Sequence, residues 1–437
     1  MRIASTISLL SLLSVGVVAC ATSSQAPVSI GYGPSPVLPE PKTSLIPTVD
    51  IAKATGWPEG ARPRAAKGLE VQAFAGGLDH PRWLHVLPNG DVLVAETNAP
   101  PRPEDGDGIR GFFMKQAMKK AGAAVPSANR ITLLRDTDGN GVSDERHVFL
   151  DGLNSPFGME LIGDTFYVAN TDAIVAFPYE PGATGIAAEG RILTSLPAGE
   201  INHHWTKNII ASPDGSKLYA TVGSNSNIAE NGMSAEQGRA AIWEVDVATG
   251  EKRLFATGLR NPNGMDWNPA SGALWTVVNE RDELGNNLVP DYMTSVQDGA
   301  FYGWPWSYWG ENVDTRVEPA RPDMVARAIA PDYALGSHTA SLGLEFSHRA
   351  SLGHAYGEGV FIGQHGSWNR EPPSGYKVVF VPFNGARPAG NPREVLGGFR
   401  VDDKALGRPV DVATAADGAL LVTDDVGNTV WRVSRAD

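Results

Sequence analysis

The chain has one cysteine in 437 residues, Cys20, so no disulfide can form within it. Charge is sparse, at 19% Asp, Glu, Lys and Arg, and it balances to a net −13 with no basic run. A nucleic-acid surface needs a basic stripe, and none is present. Acidity of this size bears on solubility and says little about substrate. Long hydrophobic runs are missing too. The apolar stretch from Ile7 to Val18 is too short to span a bilayer. No Gly-x-Ser-x-Gly elbow and no phosphate-cradling Gly loop in its proper context appear, so those two routes to catalysis have no carrier. His203, His204, His338 and His365 lack H-E-x-x-H or paired-cysteine spacing, which leaves zinc without support.

What the chain has is turns. Gly (49) and Pro (32) are abundant, beside 42% hydrophobic residues of which 8% of the chain is aromatic. That mixture suits a folded protein of many short strands. A turn-then-strand phrase recurs. Pro88-Asn89-Gly90 leads into Val92-Leu93-Val94, and Gly163-Asp164 into Phe166-Tyr167-Val168. Pro213-Asp214-Gly215 leads into Leu218-Tyr219-Ala220, and Gly272 into Leu274-Trp275. Gly357-Glu358-Gly359 leads into Val360-Phe361-Ile362, and Asp417-Gly418 into Leu420-Leu421-Val422. Six such phrases predict an all-β, six-bladed β-propeller over 64–437, because a small sheet cannot bury both faces unless its neighbours stack on it. A β-sandwich would leave the six-fold repetition unexplained.

Two segments break the pattern. Gly111 to Gly122 has helical composition, with Phe113, Met114 and Met118 set against Lys115, Lys119 and Lys120, and reads as an inserted helix. The stretch Asp298 to Glu311 gathers Tyr302, Trp304, Trp306, Tyr308 and Trp309. It reads either as packing between blades or as a sugar-stacking wall. At the N-terminus, residues 1–20 carry a charged start, the apolar stretch, and Val17-Val18-Ala19-Cys20. This resembles a bacterial lipoprotein signal, with Cys20 as the lipidated residue. It implies an exported protein on the periplasmic face of a membrane, held there by its lipid; Ala21 after the cysteine points to the outer membrane. Residues 21–63, with Pro34-Ser35-Pro36 and Pro39-Glu40-Pro41, read as an extended tether.

Chemistry concentrates where one phrase follows another. His204 lies just ahead of Ser212-Pro213-Asp214-Gly215, and Arg260-Asn261-Pro262-Asn263-Gly264 just ahead of Trp267-Asn268-Pro269. Matching places on consecutive repeats predict convergence on one central site. Imidazole is the base that needs least tuning, and a guanidinium offers a fixed fork of donors to carboxylate or quinone oxygens. Each feature alone reads equally as structural: a His pair in a core, an Arg-Asn-Pro turn capping a strand. Asp136-Thr137-Asp138-Gly139-Asn140-Gly141-Val142-Ser143-Asp144 follows the calcium-loop pattern, with oxygens from Asp136, Asp138, Asn140 and Asp144. His147 stands where the pattern has a bidentate Glu, so a Gly-rich hairpin turn is the competing reading.

Over about 70 to 434 the chain resembles the soluble quinoprotein sugar dehydrogenases that use pyrroloquinoline quinone (PQQ), in their sorbosone dehydrogenase-like branch, to which fungal pyranose dehydrogenases are similar. The carriers are Asp151 to Met159, His204 to Gly215, Gly258 to Gly264, Asn279-Glu280-Arg281-Asp282, Phe301 to Pro305, Gly363 to Arg370, and Gly407-Arg408-Pro409-Val410-Asp411. The resemblance implies His204 as catalytic base, with Arg260, Asn261, Asn263 and Arg408 as cofactor ligands. It implies that the backbone carbonyls of Glu280 and Arg281 hold a calcium ion against the quinone. A second arginine of the pattern is Val410 here and a glutamine is Leu153, while His365 or Arg370 stands in for a lysine. The expected partners are a small sugar and a periplasmic electron acceptor. Two alternatives stay open: a calcium-dependent hydrolase or lactonase using Glu96, Asn154, Asn261 and Asp411, and a non-catalytic lipoprotein that binds a sugar or a partner.

Overall fold

A computed structural model describes residues 24, 26–43, 48–101 and 119–436. Cys20, the signal-like stretch and most of the Gly111–Gly122 helix lie outside the described residues. The described chain is almost entirely β. Six sheets follow one another, each built of four antiparallel strands. Their first strands are Pro81–Val86, Met159–Ile162, Ile209–Ala211, Pro262–Trp267, Ser341–Phe346 and Pro409–Thr414. These six strands touch one another in cyclic order, the last against the first. The sixth sheet takes its outer strand, Leu69–Gly76, from the start of the chain and pairs it with Thr429–Arg435, Val71 opposite Val433.

The second strand of each sheet explains why the sheets stack. Val92–Glu96, Leu274–Val278 and Leu420–Asp424 are buried at every position. A strand apolar on both faces needs a neighbour on each side. The buried side chains accordingly fall into clusters between consecutive sheets. Trp83, Leu93, Phe157 and Phe166 fill the gap between the first and second. Trp275, Val277, Leu344 and Ile362 fill that between the fourth and fifth, and Phe74, Leu84, Val94 and Leu421 close the last against the first. Full burial of each such residue contributes about 1.5–3 kcal/mol. The hairpin turns fall where the phrases predict. Gly215 and Gly418 sit at φ +70° and +85°, a region that glycine enters without strain.

The Pro-rich segment read as a tether is laid along the sheets wherever it is described. Tyr32–Gly33 adds a strand to the fourth sheet and Lys53–Ala54 pairs with Lys404–Ala405; just beyond the segment, Arg64–Ala65 pairs with Leu396 and Gly397. It lacks a core of its own but carries Leu38, Ala52 and Trp57, which enter clusters belonging to the sheets. The aromatic loop is largely packing. Tyr302, Trp304 and Tyr308 are buried, and the Tyr302 hydroxyl donates to the Ser295 carbonyl at 2.7 Å.

Candidate functional site

The start of each first strand and the end of each second strand share one end of the ring, because the two run antiparallel. His204, Arg260 and Arg408 precede first strands, whereas Ser224, Glu280, His365 and Asp425 follow second strands. The sequence therefore brings all of them to one rim. Ser224 links the first two: its N–H donates to the Arg260 carbonyl at 2.8 Å, and its own carbonyl accepts from the His204 N–H at 3.4 Å. A Cβ added to Gly223 would lie 2.3 Å from Asn261 Oδ1 and 2.6 Å from His204 Cβ. Glycine at 223 is what lets these side chains approach.

His204 Nδ1 lies 2.7 Å from the Ser224 carbonyl oxygen. A carbonyl only accepts, so the proton sits on Nδ1 and the lone pair on Nε2. Burial, and then the charges of Arg260 and His203, hold the imidazole pKa well below its ordinary value. The ring is thus a neutral acceptor at physiological pH. Beneath it, fully buried Lys207 donates from Nζ to the carbonyls of His204 and Trp205, both at 3.2 Å, and so fixes the backbone that carries the ring. Burial, first, lowers that amine's pKa well below the usual lysine value.

Arg260 is held by carbonyls. Its Nη1 donates to Glu280 O at 2.7 Å and its Nε to Asn227 O at 3.2 Å, while Nη2 lies 3.4 Å from Asp282. Trp304 Nε1 donates to the same Asn227 oxygen at 2.9 Å, which ties the aromatic loop to the rim. The Glu280 carbonyl, expected to face calcium, is thereby taken by a guanidinium. The Arg281 side chain runs inward to Pro305 O, Ser307 O and Asp314. A carbonyl oxygen has two lone pairs, so the bond from Arg260 leaves the Glu280 oxygen one further acceptor site.

A second group closes the opposite side of the rim. Asp425 accepts from Arg82 Nη1 at 2.6 Å and from His365 Nε2 at 2.8 Å, with His80 at 3.6 Å. Burial opposes its ionisation, but His365, His80 and Arg82 outweigh it and hold the carboxyl well below the usual range. Arg408 lies over the Tyr376 ring at 5.1 Å and donates to its hydroxyl at 3.2 Å. Val410, where the resemblance has a second arginine, is fully buried among Trp83, Phe157 and Leu342. Arg82 supplies a guanidinium beside His365 in its stead. Sequence reasoning missed Arg82, His80, Asp425, Ser224 and Lys207. Arg82 carried a usable signal, lying at the start of a first strand as Arg260 and Arg408 lie just before theirs.

Two expected ligands turn elsewhere. Asn263 is buried between first strands, donating to Asn261 O at 3.0 Å and accepting from Thr206 at 3.3 Å. Arg370 is buried and reaches Ala26 O and Asn287 Oδ1. Each member of the hydrolase set that follows has a partner of its own. Glu96 is bound by Arg130 at 2.8 Å, Asn154 by Asp172 at 2.9 Å, and Asp411 by the Leu84 N–H at 2.9 Å. Asp136, Asp138 and Asp144 do bring carboxylate oxygens within 4.8 Å of one another. Asp136 accepts from the N–H groups of Gly139, Asn140 and Gly141, as the hairpin-turn reading requires.

Among the described residues, the buried rim atoms without a hydrogen-bond partner include Asn261 Oδ1, Arg82 Nε, Arg408 Nε, Asn369 Oδ1 and Asp425 Oδ1. Such atoms each cost on the order of 1–3 kcal/mol. The two arginine Nε atoms are donors and the three oxygens acceptors, so together they could meet a ligand that carries both kinds of polar group.

Comparison with known proteins agrees in direction. Residues 63–297 and 323–436 match the TrAA12-like family model. A PQQ-dependent pyranose dehydrogenase of Coprinopsis cinerea is 26% identical over 86% of this chain, and the chain spans 56% of that protein's length. The holo PQQ domain of a Coprinopsis cinerea pyranose dehydrogenase superposes with a TM-score of 0.68 at 22% identity, covering 88% of this chain and all of that one. An iodide structure of a Trichoderma reesei protein of Carbohydrate-Active Enzymes Family AA12 gives 0.69 at 18% identity over 90% of this chain and all of that one. At these identities the superpositions show a shared fold.

Proposed function

The chain belongs to the TrAA12-like family, and from that premise we propose that it is a PQQ-dependent dehydrogenase that oxidises a sugar hydroxyl. On this reading the ring of six sheets is a six-bladed propeller. The quinone's seat is the rim bounded by His204, Arg260 and Asn261 on one side and by Arg82, His365, Arg408 and Asp425 on the other. The observation that carries it is the clustering of orphaned buried polar atoms among three guanidiniums beside a neutral imidazole. When bound, PQQ supplies the acceptor for the hydride leaving the sugar carbon.

The residues divide the remaining work. His204 Nε2 takes the hydroxyl proton, and Ser224 keeps its ring oriented. Arg260, fixed by Glu280 O and Asn227 O, presents positive charge where negative charge grows. Arg82 and Arg408 offer donors to ligand carboxylates. That the backbone carbonyls of Glu280 and Arg281 would hold a calcium ion remains part of the proposal as an expectation from the sequence. Sorbosone-type specificity, export and lipid anchoring through Cys20, and a periplasmic electron acceptor remain part of the proposal as expectations from the sequence.

The test is dye reduction by the purified protein loaded with PQQ, across aldoses and pyranoses. His204→Ala is expected to lower turnover by about 10²–10⁴-fold while quenching of protein fluorescence by PQQ stays unchanged. Turnover equal to wild type in that variant, or lactone cleavage by quinone-free protein, overturns the reading.

A further inference from the structure

The segment from Ser24 to Trp57 precedes the family-matched residues, which begin at 63, yet it touches three loops of the rim in turn. Ser24 N–H donates to Glu371 O at 2.8 Å, Lys42 N–H to Leu284 O at 3.0 Å, and Asp50 N–H to Trp368 O at 2.9 Å. Trp57 Nε1 then donates to Asp424 Oδ2 at 2.6 Å. Each loop gripped this way carries a group of the site. The loop with Leu284 carries Asp282, partner of Arg260. That with Trp368 carries His365 and Asn369, whose amide donates to Asp282 at 2.7 Å. The turn after Asp424 carries Asp425.

The Trp57 contact is the most telling. Asp424 is fully buried. Its Oδ1 accepts from the backbone N–H groups of Arg408 and Gly427, both at 2.8 Å. Its Oδ2 takes the indoles of Trp57 and, at 3.1 Å, Trp431. A Cβ on Gly407 or Gly427 would lie 2.1 or 2.2 Å from Oδ2, so the chain closes tightly on this carboxylate. The indole of Trp57 also meets Phe399 and Trp431 edge-on at 5.6 and 5.5 Å. One side chain from outside the ring therefore completes the anchor under Arg408 and beside Asp425.

We propose that the described residues 24, 26–43 and 48–57 form a strap that sets the geometry of the cofactor rim, with Trp57 as a positioning residue acting through Asp424 on Arg408 and Asp425. Its toward-quinone consequence rests on the dehydrogenase reading; its structural consequence does not. Trp57→Phe removes the N–H and keeps an aromatic ring against Phe399 and Trp431. Hydrogen exchange in the quinone-free variant is expected to speed up at the Arg408 and Gly427 amides and to stay unchanged in strands of the second and third sheets. PQQ affinity is expected to fall about tenfold, the equivalent of one charge-assisted hydrogen bond, with kcat at saturating quinone kept. Lys42→Pro removes a donor midway along the strap and is expected to speed exchange at residues 282–289. Unchanged exchange at those amides in both variants, or faster exchange spread evenly through the protein, overturns the strap. Wild-type protein that fails to bind PQQ refutes the dehydrogenase reading and leaves the exchange result to decide the strap.

Discussion

The two ends of the ring are made from the same strands and behave oppositely. At the rim, carboxylates meet arginines and imidazoles at close range: Asp425 with Arg82 and His365, Asp282 with Arg260. At the far end, Glu160, Asp266 and Glu345 come from the first strands of the second, fourth and fifth sheets. They share Arg349, which pairs with Glu345 at 2.8 Å and is 58% exposed at its side chain. Burial, first, pushes Glu160 up to about 7, and burial with the Glu345 charge pushes Asp266 up to about 8. Architecture is thus indifferent between the ends; the supply of fixed positive charge separates them. A guanidinium stays charged, so the rim keeps its field across physiological pH, while the far end takes up protons instead.

Removing a carboxylate should therefore have opposite signs at the two ends. Asp425→Asn leaves Arg82 beside two buried imidazoles with no counter-charge, and is expected to lower unfolding stability by about 3–5 kcal/mol. The urea midpoint at pH 7 reads this directly. A shift within error would mean that the rim's charges do not depend on one another.

Asp266→Asn is the mirror case and is expected to raise stability at pH 8 by about 1 kcal/mol, the gain being limited because Asp266 also accepts the N–H groups of Trp267 and Phe346. The sign follows from linkage. A folded-state pKa above the unfolded value means that the native protein holds a proton the unfolded chain has released. Stability from that group is full below the unfolded pKa, near 4, and declines as pH rises to about 8. Asp291 and Asp424, each pushed up to about 6 by burial, keep a slope below pH 6 in both proteins. The variant should thus reduce the slope of urea midpoints throughout pH 4 to 8, and most visibly above pH 6, where Asp291 and Asp424 no longer contribute.

The sequence disclosed the repeating phrases because turn glycines and doubly buried second strands leave local marks. It disclosed His204 and Arg260 because each precedes a repeated phrase, so spacing put them on one rim, whereas Arg408 came only through the family resemblance. Asp425, Arg82 and Lys207 were not legible in the same way. Each matters through a partner hundreds of residues away or through a carbonyl, and neither relation has a sequence spacing. Asn263 and Arg370 show the converse, since their side chains have protein partners that no spacing announces. Their residue type fits a ligand, but the Thr206 hydroxyl and the strap reach them first. The strap itself was hidden by composition: Pro and Ser describe how a segment lacks a core, not whether it borrows one.

The smallest effect tests whether the far end titrates as a unit. Arg349→Gln removes an exposed pair with Glu345, worth about 0.5 kcal/mol by itself. Arg349 also holds down the pKa values of Asp266 and Glu160. Its loss should push both further up, so the native state takes up protons over a wider range and loses more stability as pH rises. The urea midpoint of the variant is expected to fall more at pH 8 than at pH 5. In the Asp266→Asn background the pH-dependent part should shrink, because one of the two titrating partners is gone. An equal fall at both pH values would reduce Arg349 to a surface ion pair, and the contrast between the ends would then rest on the rim alone.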